Sequence, residues 1–355
     1  MHQSALSPVF VMSLITRCAS SRLTLVLLAV LGAAVVAGYL HEPLLQPALS
    51  LALALLAANL LAAAAVRPVF RRQLPLLVMH LALFALVLLV LAGRLTSLQG
   101  RMELTQGVVF DGQLLDQASG PLHRPRLSQA AFVHDGFDIE YAPGMKRGRT
   151  RNAVRWIDAG GTVQHAVIGD QHPLVLHGYR FYTTPNKGYA PMFTWWPQQG
   201  DAVRGSVHLP SYPVHQLRQA REWTLPDGTA LWVMLRSEET VIDPARPSAF
   251  AMPRDRAVVL RVGEQRFELS PGGRVALEGG VLAYDGLQTW MGYRIAYDWT
   301  LAWLLAASVL AALALGLHFA LRFRSHDWRV PQPAAGQLPG GHAAAPPLRA
   351  GVALR

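Results

Sequence analysis

Residues 74–93 read LPLLVMHLALFALVLLVLAG. As a helix, an uncharged run of that length crosses about 30 Å, the thickness of a bilayer's hydrocarbon core. Residues 23–40, 47–66 and 299–321 have the same character. Backbone amides in lipid must be satisfied inside the protein, so each run is expected as a spanning helix. Composition agrees: 52% hydrophobic against 15% charged residues is too apolar for an ordinary soluble enzyme.

The expected fold class is a membrane protein with four transmembrane α-helices and a large β-rich extracytoplasmic domain inserted between helices 3 and 4. The boundaries expected are a cytoplasmic N-terminus 1–22, three helices within 23–93 (23–40, 47–66 and 74–93), the outer domain 94–298, helix four 299–321, and a cytoplasmic, largely disordered tail 322–355. Arg17 and Arg22 ahead of the first run would suit a signal peptide. Its apolar core is longer than a signal needs and a second span follows closely, which favours a retained anchor.

Arginines orient the chain. Arg17 and Arg22 precede span one, Arg67, Arg71 and Arg72 separate spans two and three, and Arg322 and Arg324 follow span four; the loop HEPLLQ between spans one and two has no Lys or Arg. The positive-inside rule then puts both termini in the cytoplasm and the large domain outside. The net charge of +10 is largely topological and suits contact with the lipid bilayer, so no nucleic-acid partner is needed to explain it. The one cysteine, Cys18, precedes span one, which leaves the outer domain without disulfides or thiol chemistry. No C-x-x-C-H is present, so the chain is not itself a c-type cytochrome.

The outer domain alternates in short runs such as AVRWID, ALWVMLR and RAVVLRVG, broken by DAGG, PDGT and SPGG turns. That pattern predicts a β-sandwich or irregular barrel. Phe193, Trp195 and Trp196 are expected mainly as core. Tyr297, Trp299 and Trp303 suit an aromatic belt at the start of span four. Small residues four apart, Ala34 with Gly38 and Ala312 with Gly316, would let helices approach closely.

His80 is the one ionisable side chain in span three. It lies six residues past Leu74, about 9 Å deep. An imidazole there serves a metal, a proton relay or haem, or is a packed neutral residue bonded to a neighbouring helix. His318 lies about 6 Å from the same boundary on span four, so the two could share one iron, although His318 could equally snorkel to the interface. His123, His134, His165, His172, His177, His208 and His215 show no zinc-type spacing and read as surface or turn residues. No nucleophile elbow, P-loop or dinucleotide fingerprint occurs.

Several stretches in order resemble the ResB (CcsB) family of system II cytochrome c biogenesis. They are MHLALFALVLLVLAGRLTSLQGRMELTQG, FDIEYAPGMKRGRTRNAVRWIDAGG, HPLVLHGYRFYTTPNKGYAP, and YDGLQTWMGYRIAYDWTLAW with the span that follows it. The chain is short for that family, and DWTLAW lacks the Pro-Gly usual before the last span. The resemblance covers nearly the whole chain and implies a non-catalytic subunit of a cytochrome c haem lyase (synthase) complex. Such a subunit pairs with a ResC/CcsA-like membrane protein, binds haem b as transient, non-covalent cargo, and helps deliver it to apocytochromes c. His80 occupies the place of the family's intramembrane haem-binding histidine, and His318 is then not required. The alternative is a membrane-anchored periplasmic scaffold or sensor without haem. A transport or proton-relay role is a third reading.

Overall fold

A computed structural model describes residues 16–40, 42–124, 126–214, 219–237 and 239–325. His215 and the tail 326–355, with the disorder expected of it, lie outside the described residues, as do residues 1–15. Among the described residues five α-helices are named: α1 (Ser21–Leu40), α2 (Glu42–Val66), α3 (Pro68–Arg72), α4 (Leu74–Thr96) and α5 (Leu301–Ser325). Four of them are long and apolar enough to cross a membrane, so the chain is a membrane protein.

The helices extend beyond some of the apolar runs, although the second candidate span is Pro47–Val66 as expected. The loop expected at 41–46 is helical from Glu42, with Pro47 inside α2. The helix α4 runs on to Thr96, where the Ser97 amide still bonds the Gly93 carbonyl. α5 continues through Arg322 to Ser325.

Neighbouring helices pack as α1 on α2, α2 on α4 and α4 on α5. Leu27, Leu56 and Leu60 form a core between α1 and α2, with Phe84 and Val87 of α4 against it. Apolar contact gives little specificity among helices already in lipid, so polar groups fix the arrangement. Asn59, buried in α2, accepts from the Thr24 hydroxyl at 2.7 Å and donates to the Ser20 carbonyl. Of the small-residue pairs, Gly38 is buried but Gly316 is exposed, so the stripe on α5 faces outward.

Among the described residues seventeen strands fall between Thr96 and Leu301 and form four sheets. In place of the short strands expected around Tyr179 and Tyr284, two long strands, Tyr179–Pro197 and Gly280–Tyr297, pair antiparallel along their length. At about 3.3 Å per residue they form a spine roughly 60 Å long. The sequence looks broken there because the second strand shifts register at Gly286 and again before Tyr293. Such bulges let a long strand bend without ending.

Each half of the spine carries a core. Tyr179, Phe181, Tyr293 and Ile295 belong to one cluster with Leu98 and Met102. Phe193, Trp195, Leu282 and Tyr284 belong to the other. Trp196 alternates outward, as strand geometry requires, and lies under Arg274.

The spine meets the helices directly. Leu98 opens the strand that follows α4, Tyr297 closes the strand that precedes α5, and the two residues pair. Two helices therefore leave the membrane side by side and continue as neighbouring strands. A side chain at Gly93 would press on the Thr300 hydroxyl at 2.9 Å, so only glycine permits this close exit.

Candidate functional site

His80 sits in the second turn of α4, and the segment RPVFRRQLP before it fixes its neighbours. Pro68 opens α3 and Pro75 opens α4, both in first-turn positions where a missing amide costs nothing. Arg67 ties this joint to α1 through two bonds to the Ala19 carbonyl, at 3.2 and 3.0 Å. The short α3 is thereby held across α4, and Phe70 lies against His80 with ring centroids 4.4 Å apart.

The imidazole is also bonded to the backbone of Leu60 in α2. Its Nε2 is buried and has no hydrogen-bond partner among the described residues. The bonded nitrogen is thus Nδ1, which donates to the Leu60 carbonyl and leaves the Nε2 lone pair uncommitted. This is the tautomer of a metal-ligating histidine, with the far nitrogen oriented by a carbonyl.

His134 shows why an orphan nitrogen alone is insufficient. It too has a buried, unpartnered Nε2. Its Nδ1, however, receives the Asn152 side-chain amide at 2.7 Å and the Gly136 amide at 3.3 Å. The proton must then sit on Nε2, so no lone pair is available there. His134 is fully enclosed, and burial holds its pKa down at about 3. It is a core residue, bonded through Asn152 to the Tyr293 hydroxyl, whose own pKa burial raises.

At the opposite end of α4, His123 closes the helix. Helix C-termini leave carbonyls unpaired. Here the Leu122 amide bonds Leu95 at 2.8 Å, the Gly120 amide bonds Ser97 at 2.9 Å, and His123 Nδ1 donates to the Thr96 carbonyl at 2.8 Å. His123 Nε2 accepts from the Tyr179 hydroxyl at 3.0 Å. Both of its nitrogens are consumed. A Cβ at Gly120 would lie 2.3 Å from the Leu95 carbonyl carbon, so the close docking of this segment requires glycine.

The remaining histidines scatter. His318 touches Phe319 edge-on, and among the described residues neither a hydrogen bond nor a ring contact links it to His80. His165, His172 and His177 are exposed. Tyr297, expected in the aromatic belt, instead packs between His123 and Tyr179. Trp299 and Trp303 are exposed as a belt requires.

One constellation had no signal in the sequence. His208 bonds Glu103 at 2.9 Å through Nδ1 and Thr105 at 2.7 Å through Nε2, Thr105 bonds Ser206, and the imidazole stacks on Trp290. It joins residues about a hundred positions apart, and only strand pairing brings them together. Lys187, buried in the spine, is held at a pKa of about 8 by desolvation and bonds the Pro185 carbonyl. The Leu60 carbonyl and Phe70 were equally invisible as partners of His80.

Comparison with known proteins follows the same outline. No curated protein matches the chain. Among solved structures it is similar to a cytochrome c heme lyase, CcmF, at 14% identity with a TM-score of 0.23. That likeness covers 84% of this chain and 34% of the other, so the chain spans about a third of that protein's length. The family model described as ResB-like matches residues 57–338, from the middle of α2 through α5 and beyond. The chain belongs to the ResB-like family.

Proposed function

We propose that this chain is a cytochrome c biogenesis factor that binds haem b as transient cargo in the membrane and passes it on for attachment to apocytochromes c. The observation that carries the reading is the uncommitted Nε2 of His80, held in ligating form by the Leu60 carbonyl. Haem supplies the iron that this nitrogen would ligate and the vinyl groups that become thioethers. The protein's part is to desolvate the porphyrin, orient the imidazole and thereby tune the iron's potential. The donor chemistry fits a single axial ligand from this chain. A ResC/CcsA-like partner supplies the opposing ligand, and His318 is spare.

In this reading the termini are cytoplasmic and residues 94–298 form an extracytoplasmic domain inserted between the third and fourth spans of an inner-membrane protein. The arginine distribution supports that orientation. His80 then lies in the inner leaflet, where haem would arrive from the cytoplasm.

A second reading, a membrane-anchored scaffold or sensor without haem, draws on Phe70. Its ring covers His80 and Nε2 is buried, as a purely structural histidine would be. Haem binding requires Phe70 to swing aside. The two readings separate in detergent-purified protein prepared alone and with a ResC/CcsA-like partner. Haem binding is expected to give a Soret band that His80→Ala removes and His318→Ala leaves in place. Absence of haem from every preparation, with unchanged c-type cytochrome levels in a deletion strain, would establish the scaffold.

A further inference from the structure

A cavity of about 380 Å³ opens where α4 and α5 leave the membrane. Its rim carries Arg124, Arg126 and His177, and its wall is Tyr179, Tyr297 and Trp299. Three features make it a constructed site.

The first is charge. No carboxylate lines the cavity. The carboxylate next along the chain, Asp298, is engaged by the amide and hydroxyl of Thr300. Neither Arg124 nor Arg126 has an ion-pair partner among the described residues. Two guanidinium groups so placed favour an anion, above all a phosphate that accepts paired N–H donors.

The second is rigidity. Trp299 is fixed by its indole N–H donating to the Thr96 hydroxyl at 2.9 Å. The Tyr179 hydroxyl is fixed by His123. His177 sits in a two-residue hairpin turn with Gly178, both at positive φ. Such a turn has a set geometry that commits the imidazole to the rim.

The third is what lies beside it. Trp299 is 47% exposed, Leu122 is exposed at the cavity edge, and Leu301, Trp303 and Leu305 in the first turns of α5 are exposed as well. A free anion would use only the cavity, whereas an anion on an apolar body would use the cavity and this surface together.

We infer that this cavity binds the headgroup of an anionic phospholipid, with the phosphate between Arg124 and Arg126 and the acyl chains running from Trp299 along the exposed apolar side chains of α5. Trp299 divides the polar and apolar halves, the usual place of tryptophan at a membrane boundary. The lipid would brace the joint at which helices become strands.

The test uses the full chain in a mild detergent, with phosphatidylglycerol and phosphatidylcholine of matched acyl chains added together and retention read by native mass spectrometry. The wild type is expected to retain phosphatidylglycerol about tenfold over phosphatidylcholine, as one or two charge-assisted contacts would give. The double variant Arg124→Gln/Arg126→Gln is expected to bring the ratio near one. Arg254→Gln/Arg266→Gln, an equal loss of charge elsewhere on the β-rich region, is expected to leave it unchanged. Equal losses in both double variants would show a diffuse charge effect and overturn the inference. Displacement of the lipid by millimolar inorganic phosphate would assign the cavity to free anions and overturn it too. A measurement on unmodified protein covers the case of a misfolding variant. Phosphatidylglycerol with a photoreactive headgroup is expected to label residues 122–126 or Trp299, and even labelling around the helix ends contradicts the site.

Discussion

A histidine stands at each end of α4 with its Nδ1 anchored on a backbone carbonyl, His80 within the helix and His123 on the segment docked against its last turn, and they differ in the other nitrogen. His123 hands Nε2 to the Tyr179 hydroxyl and is a clasp between helix and strand. His80 leaves Nε2 without a partner under the ring of Phe70. A buried polar atom without a partner costs free energy. His123 therefore has both ring nitrogens committed and His80 has one, and the difference lies in hydrogen-bond accounting rather than in residue type.

The clasp end should break hardest. Gly120→Val forces a side chain into the Leu95 backbone, and loss of more than about 4 kcal/mol, or no folded protein, is expected in thermal unfolding in detergent. A midpoint near that of the wild type would mean that the segment is not docked on α4.

The next effect is one of pH and belongs to His134, whose proton is trapped on the wrong nitrogen for a ligand. Its pKa is about 3 when folded and about 6.5 when unfolded. The unfolded state therefore binds the extra proton between those values, and stability present above about pH 6.5 falls as pH drops towards 3. At pH 5 the loss is about 2 kcal/mol relative to pH 7.5, at about 1.4 kcal/mol per unit below 6.5. His134→Gln is expected to flatten that slope, and an unaltered slope would exclude His134 as its source.

Replacing the clasp itself, His123→Leu, strands the Thr96 carbonyl and the Tyr179 hydroxyl and should cost about 1–3 kcal/mol while leaving haem content unchanged. A loss of haem would erase the distinction between the two histidines. The smallest effect is Trp299→Phe, which removes one hydrogen bond to Thr96 and should cost about 1 kcal/mol in the same unfolding assay.

Much of this was legible because lipid leaves few choices. A long apolar run in a membrane is a helix, so four spans could be read with ends displaced by a few residues. The singularity of His80 was equally plain. Its tautomer was not, because Leu60 reaches it from another helix and Phe70 from the linker. The outer strands could be recognised singly, whereas the spine could not. Pro185, Gly188 and Gly286 look like breaks in one dimension and act as bends in a long paired ladder. Pairings such as Leu98 with Tyr297 join positions nearly two hundred residues apart and leave no local mark. Glu103 and His208 escaped notice for the same reason.

The most direct test of the central claim is cavity complementation at His80. Haem-loaded wild-type protein, His80→Gly and His123→Leu are purified together with a ResC/CcsA-like partner, and reduced and oxidised spectra are recorded with and without added imidazole. The expected result is a Soret band in the wild type and His123→Leu, its loss in His80→Gly by at least about tenfold, and its return when imidazole fills the space. A His80→Gly protein that keeps the haem content and spectrum of the wild type would contradict the assignment of His80 as the ligand.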